Sequence, residues 1–206
     1  MVEDQLRSRG IADERVLTAM ARVPRELFVP AELVDRAYAD MALPIGEGQT
    51  ISQPYMVALI CRELALRGDE RVLDVGTGSG YQAAVLAELA GEVHTIERIP
   101  ALVEQARARL ADAGYGDRVH VHEGDGTRGL PEYAPFAAIA VAAAAPEVPM
   151  TLYEQLEMRG RLVVPVGGRY EQLLQVVVRT PEGPAVLRSV PCRFVPLLGE
   201  EGFDGR

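Results

Sequence analysis

Asp74-Val75-Gly76-Thr77-Gly78-Ser79-Gly80 places three glycines at alternate positions behind an acid. Glycine lets a chain turn through positive φ and lets backbone N–H groups approach a ligand closely. The run follows a predicted strand and precedes a predicted helix, where open α/β sheets bind ligands. Alone it says little. Glu97 adds weight, because an acid at the end of the next strand can grip both hydroxyls of a ribose. The dinucleotide fingerprint is G-x-G-x-x-G, whereas this loop is G-x-G-x-G, one residue shorter before its third glycine. Asp74 would repel a pyrophosphate but not a ligand with an ammonium or sulfonium group. Gly124-Asp125-Gly126 follows the third predicted strand and faces the same crevice. Asp125 there can accept a hydrogen bond from an adenine amino group, although Asp-Gly is also an ordinary turn.

These residues need a frame. RVLDV (71–75), EVHTIE (92–97), RVHVHEGD (118–125) and Phe136 to Ala142 read as strands. Gln82 to Ala90, Ala101 to Ala113 and Met150 to Glu157 read as helices, the second ended by Gly114. RLVVPVG (161–167) and QLLQVVVR (172–179) follow as strands, then AVLRSV (185–190) and RFVPL (193–197) as strand-like pieces. Alternating strands and helices predict an α/β fold with a mostly parallel, doubly wound sheet. The last strands leave no room for a crossover helix, so antiparallel C-terminal strands are expected. Residues 1–65 read as an N-terminal helical extension. Asp13 caps a helix through Arg22, with Val16, Leu17, Met20 and Val23 on one face. Glu32 to Tyr38 and Tyr55 to Leu66 are helical too, and LPIGEGQTISQP (43–54) between them is expected to be a loop. The expectation is one domain over 1–206, with the extension at 1–65 and the α/β core at 66–206.

Asp-x-Gly-x-Gly-x-Gly with a second acid one strand later is what class I methyltransferases carry for S-adenosylmethionine, and the expected fold is their Rossmann-like one. Over nearly its whole length, in collinear order, the chain resembles the protein-L-isoaspartate O-methyltransferase family. The matching stretches are RGIADERVLTAMARVPRELFVP (9–30), AYADMALPIGEGQTISQPYMVA (37–58), VLDVGTGSGYQAAVLAEL (72–89), GDG (124–126), AAAPEVP (143–149) and GRLVVPVG (160–167). The resemblance implies methyl transfer to the free carboxylate of L-isoaspartyl residues in damaged proteins and peptides, leaving S-adenosylhomocysteine. The ester then collapses to a succinimide that partly reopens to aspartate. The resemblance also implies Ser52 as the active-site residue, with Thr50 beside it. Backbone around Val195 would pair with an extended substrate peptide. Candidate cofactor contacts are Thr50, Ile51, Asp74, Gly76, Thr77, Gly78, Ser79, Gly80, Glu97, Arg98, Asp125 and Gly126. Two positions depart from the usual family pattern. Ala137 stands where Asp is common and Ala142 where Thr is common, both expected on or near a strand at the crevice.

Carboxylate chemistry suits these residues. A carboxylate has a reference pKa of ~4, so at neutral pH it attacks without a general base. A site need only hold it in line with the methyl group and keep water out. A hydroxyl such as Ser52 and backbone N–H groups suffice. The 206 residues are 48% hydrophobic and 25% charged, with a net charge of -9. That balance predicts a globular core and disfavours a nucleic-acid partner. All 21 Lys+Arg residues are Arg, which excludes lysine Schiff-base chemistry. Cys61 and Cys192, among apolar neighbours, read as buried free thiols in a reducing compartment. No signal peptide or membrane-length apolar run is visible, so a cytoplasmic monomer with no membrane partner is expected. His94, His120 and His122 lack further ligands at metal spacing, and no metal is expected. Glu200, Glu201 and Asp204 read as a solvated tail, and Tyr55 and Tyr81 as packing near the cofactor. Two other readings are a class I methyltransferase with another small-molecule or protein acceptor, and a non-catalytic nucleotide-binding module.

Overall fold

The computed structural model describes residues 1–204. Two short helical turns, Val2–Leu6 and Arg7–Arg9, lead into helix α1, Glu14–Arg22. Asp13 caps α1 as expected, its carboxylate accepting from the N–H groups of Arg15 at 2.9 Å and Val16 at 3.3 Å. The turns Arg25–Phe28 and Ala31–Arg36 follow. The stretch expected as a loop at 43–54 instead contains a hairpin, β1 (Leu43–Gly46) and β2 (Gln49–Ile51), paired antiparallel. Leu43 and Ile45 point inward while Pro44 and Gly46 point outward, a period of two that the proline and glycine disguised. Helix α2, Pro54–Leu64, begins with proline at its first turn, where the missing N–H costs nothing.

The core then alternates: β3 (Arg71–Val75), α3 (Tyr81–Ala87), β4 (Glu92–Glu97), α4 (Pro100–Asp112), β5 (Val119–Glu123), β6 (Phe136–Val141), α5 (Met150–Glu154), β7 (Leu156–Gly167), β8 (Gln172–Thr180) and β9 (Gly183–Cys192). The sheet order is β5-β4-β3-β6-β7-β8-β9. Strands β3 to β7 run parallel, and β8 and β9 return antiparallel. This is the mostly parallel, doubly wound sheet expected, with its antiparallel C-terminal strands. Gly114 ends the chain's longest helix at φ 82°, as a left-handed cap.

Alternate residues of each strand enter opposite apolar layers. Val72, Val93 and Val163 join one, while Leu73, Ile96 and Leu162 join the other. The first layer also takes in Leu6, Ile11, Val16, Leu17 and Met20. Burying side chains of this size contributes about 1.5–3 kcal/mol each, which fixes the extension against the sheet.

Other expectations are corrected. Leu156 and Glu157 begin β7 rather than end a helix. RFVPL (193–197) is not a strand of the sheet; Pro196 makes only an isolated bridge to Ala144. Cys61 is buried but Cys192 is only half-buried. Glu201 is no solvated tail, because its carboxylate accepts from the N–H and hydroxyl of Thr151 in the first turn of α5.

Candidate functional site

The strand order reverses between β3 and β6, and the crevice outside their carboxyl ends is the switch point where doubly wound sheets bind ligands. A crevice of about 820 Å³ opens there. Gly76–Ser79 forms one wall after β3, Ile96–Ile99 another after β4, and Gly126, Ala142 and Ala143 continue it after β5 and β6. Thr50–Ser52 from the hairpin and Val195–Leu198 from the C-terminal segment close it. Hydrogen bonds from Ala144 N–H to the Val195 carbonyl at 2.8 Å, and from Leu197 N–H to the Ala144 carbonyl at 2.7 Å, fix that last wall.

Of the candidate residues, Thr50, Ile51, Ser52, Gly76, Thr77, Gly78, Ser79, Glu97, Arg98, Gly126 and Val195 line this crevice. Asp74, Gly80 and Asp125 do not. Gly76 and Gly80 have φ of 92° and 90°, and Gly78 has φ 52°, a left-handed run that side chains resist. Glu97 is 6% exposed and organises the walls it borders. Its Oε2 accepts from Gly78 N–H at 3.0 Å, and its Oε1 from the N–H groups of Arg98 and Ile99 at 2.9 and 3.0 Å. A carboxylate has about four acceptor positions, so Oε2 keeps capacity for a ligand hydroxyl.

Asp74 lies one layer behind the loop. It is 0% exposed, with Oδ1 accepting from Gln82 Nε2 at 2.7 Å and Oδ2 from Thr95 Oγ1 at 3.0 Å. Thr77, which lines the crevice, shares a 2.7 Å hydroxyl bond with Thr95. Burial pushes the Asp74 carboxyl up to about 6, against the lowering pull of Gln82 and Thr95. Gln82 itself lines the crevice and was not foreseen. Its Nε2 is committed to Asp74, and its buried Oε1 has no partner among the described residues. An orphan acceptor in this wall fits a ligand that brings a donor, such as an ammonium group. Only the pairing of β3 with β4, which sets Asp74 opposite Thr95, would have revealed the arrangement.

Asp125 holds protein here. Its Oδ1 accepts from the N–H and hydroxyl of Thr127, at 2.9 and 2.7 Å, and its Oδ2 from Glu200 N–H at 3.0 Å. It thereby ties the C-terminal segment to the end of β5.

Beside the crevice lies an open groove of about 1430 Å³, lined by Arg9, Tyr55, Met56, Arg169 and Cys192–Pro196 among others. Thr50, Ser52, Ala142, Val195 and Pro196 line both spaces. Tyr55 therefore borders the groove, under the Arg9 guanidinium at 3.7 Å, while Tyr81 borders the crevice. Ala142 stands at the junction. Ala137 does not: it lines a separate depression with Pro135 and Glu157, at the amino end of β6. The histidines gather on one face of β4 and β5, with His94 Nδ1 3.0 Å from His122 Nε2 and His94 Nε2 3.0 Å from Glu92. Burial lowers the pKa of both His94 and His122. Among the described residues no group of three or more His, Cys, Asp or Glu is placed to hold a metal ion.

Known proteins resemble the chain over nearly all of its length. A family model described as protein-L-isoaspartate(D-aspartate) O-methyltransferase matches residues 1–202. A protein-L-isoaspartate O-methyltransferase of Roseiflexus castenholzii is 57% identical over 196 residues, 95% of this chain and 89% of its own. One from Syntrophus aciditrophicus is 53% identical over 208 residues, 100% of this chain and 95% of its own. Among solved structures, a Plasmodium falciparum chain is similar with a TM-score of 0.82 and 28% identity, over 96% of each chain. It is described as a candidate protein-L-isoaspartate O-methyltransferase in complex with S-adenosyl-L-homocysteine.

Proposed function

The chain belongs to the protein-L-isoaspartate(D-aspartate) O-methyltransferase family, and from that premise we propose how its crevice and groove divide the work. The enzyme transfers a methyl group from S-adenosylmethionine to the free carboxylate of L-isoaspartyl residues in damaged proteins and peptides, which starts their repair through a succinimide. The crevice takes the cofactor and the groove takes the damaged segment. The observation that carries this reading is the shared wall of Thr50, Ser52, Ala142, Val195 and Pro196. Only there can a group in one space meet a group in the other.

Bound S-adenosylmethionine supplies an electrophilic methyl group on a cationic sulfur. Glu97 Oε2 would accept from the ribose hydroxyls, and Gln82 Oε1 from the ammonium end. Gly76–Ser79 lets the ligand approach backbone, and Asp74 acts through Gln82 and Thr77 rather than by touch. Ser52, with backbone N–H groups of its loop, aims the carboxylate. Val57, Val75, Ile96 and Leu197 keep the crevice dry, which favours a reaction in which opposite charges cancel. No residue need remove a proton, since the nucleophile is already an anion.

No described helix is long and apolar enough to cross a membrane. Two free cysteines accord with a reducing compartment, and we place the enzyme in the cytoplasm as a monomer, without nucleic-acid or membrane partners.

Two substitutions test the division. Glu97→Ala should weaken S-adenosylhomocysteine binding by about 1–3 kcal/mol, through lost charge-assisted hydrogen bonds. Cys192→Trp obstructs the groove alone; it should raise KM for an isoaspartyl peptide and leave that affinity unchanged. Calorimetry and steady-state kinetics read both. If Cys192→Trp weakened the nucleoside and spared the peptide, the assignment would be reversed.

A further inference from the structure

Arg25, Asp74 and Glu97 are the acidic and arginine side chains buried most deeply among the described residues. The last two serve the crevice. Arg25, 0% exposed, has no part in the chemistry so far. It lies in the turn Arg25–Phe28 of the N-terminal extension. Its Nε donates to the Ala37 carbonyl at 2.7 Å and its Nη2 to the Ser52 carbonyl at 2.8 Å. Its guanidinium carbon sits 4.7 Å from the centroid of the Tyr81 ring, another crevice wall. Among the described residues the groups that face it are the phenols of Tyr81 and Tyr38 and no carboxylate, and Nη1 has no hydrogen-bond partner.

A buried cation without a counter-ion is costly to keep. Holding two carbonyls does not require a charge, because a neutral amide would donate to them at lower desolvation cost. Arginine, by contrast, remains charged under strong burial. The reaction brings an anion of its own, since the methyl acceptor is a carboxylate, and Ser52, whose carbonyl Arg25 holds, lines the groove.

We propose that Arg25 is a positioning residue for the methyl acceptor, fixing the Ser52 carbonyl and holding a permanent positive charge behind the Ser52 wall that favours the ionised carboxylate in the groove. The proposal rests on the assignment of the groove to the isoaspartyl segment. That assignment is checked separately by Cys192→Trp, and an unchanged KM for the isoaspartyl peptide in that variant would refute it whatever the Arg25 variants do.

The test compares Arg25→Met, which keeps length but removes charge, with Arg25→Lys. Burial can lower a lysine pKa to about 5–6, which still leaves it protonated at an acid limb set by a carboxylate near ~4. The acid limb of kcat reports groups in the enzyme–substrate complex. Arg25→Met should raise KM for the isoaspartyl peptide about tenfold or more. It should also move the acid limb of kcat to higher pH, because the bound carboxylate loses its stabilising charge. S-adenosylhomocysteine affinity should stay near that of the parent. Arg25→Lys should return the limb to its parent position. A folded Arg25→Met protein with KM and limb unmoved overturns the proposal, as does a lysine variant whose limb matches the methionine one. If Arg25→Met does not fold, the parent decides. The Arg25 Nε–H resonance, assigned by its loss in Arg25→Lys, should shift when isoaspartyl peptide is added to the S-adenosylhomocysteine complex. No shift overturns the idea.

Discussion

Ser52 offers a hydroxyl where crevice and groove meet, and the carboxylate proposed to lie beside it needs aiming rather than deprotonating. Ser52→Ala should therefore cost about 1–3 kcal/mol in kcat/KM, the worth of a hydrogen bond to a charged group, with cofactor affinity retained. The kcat/KM profile of the parent should fall only on the acid side, as substrate carboxylate is protonated near ~4. Burial places the Asp74 carboxyl at about 6, so what would contradict this account is a second basic limb near neutrality that persists in Asp74→Asn. Asp74 makes a different prediction. Its carboxyl moves from 3.8 to about 6 by burial, so the folded chain binds that proton more tightly than the unfolded chain. The stability it contributes is fully present below the unfolded value and is lost as pH rises through the folded one. Asp74→Asn removes this dependence. The stability of the variant minus that of the parent should rise by about 2–3 kcal/mol between pH 4 and pH 7 in urea unfolding. A pH-independent difference would mean that the carboxyl is solvated. From the sequence, the position of Gly76, Gly78 and Glu97 at the crevice was legible, because each sits just past or at the carboxyl end of a predicted strand. Whether Asp74 faced ligand or interior was not, because that depends on Thr95 and Gln82, twenty-one and eight residues away.

The hairpin β1–β2 carries Thr50 and Ile51 and leads directly into Ser52, so its fold decides where that hydroxyl points. Its turn has three successive positive φ values, Gly46 at 94°, Glu47 at 51° and Gly48 at 69°. Ile45 reaches from β1 to the glycine loop, where a Cβ on Gly78 would meet its Cδ1 at 3.4 Å. Gly78→Val would crowd Ile45 and strain a residue with φ 52°, at a cost of about 1–2 kcal/mol from the backbone alone. The expected outcome is loss of S-adenosylhomocysteine binding by calorimetry with native far-UV circular dichroism. Normal binding would show that the loop serves structure alone. The sheet could be foreseen because each buried strand is a short apolar run punctuated by glycine or a polar turn, separated by helix-length segments. The hairpin escaped because it has only seven residues in strand, two of them Pro44 and Gly46. Residues 193–197 misled in the opposite sense. Their apolar side chains serve the groove and crevice walls rather than another strand.

Across the whole molecule, a net charge of -9 sits beside a groove bordered by Arg9, Arg169 and Arg193. Arg9 is paired with Asp40 at 3.0 Å, so the groove is locally less negative than the surface at large without being a bare cationic patch. In the proposed site the sheet supplies the cofactor crevice, the extension supplies Ser52 and Arg25, and the C-terminal segment supplies Val195; none of the three makes it alone. The matching stretches ran over the extension and the sheet in order, from residue 9 to residue 167, which is why the activity was readable from the chain. The coupling between them was not, since Asp125 to Glu200 and Arg25 to Ser52 are contacts of folded backbone. The central claim is that this assembly methylates isoaspartyl carboxylate at the wall between crevice and groove. Its most direct test uses methyl-labelled S-adenosylmethionine and two peptides identical except for one residue, isoaspartate in the first and aspartate in the second. The account predicts base-labile label in the isoaspartyl peptide and background counts in the aspartyl one. Equal labelling of both, or labelling of neither while S-adenosylhomocysteine still binds, would contradict it.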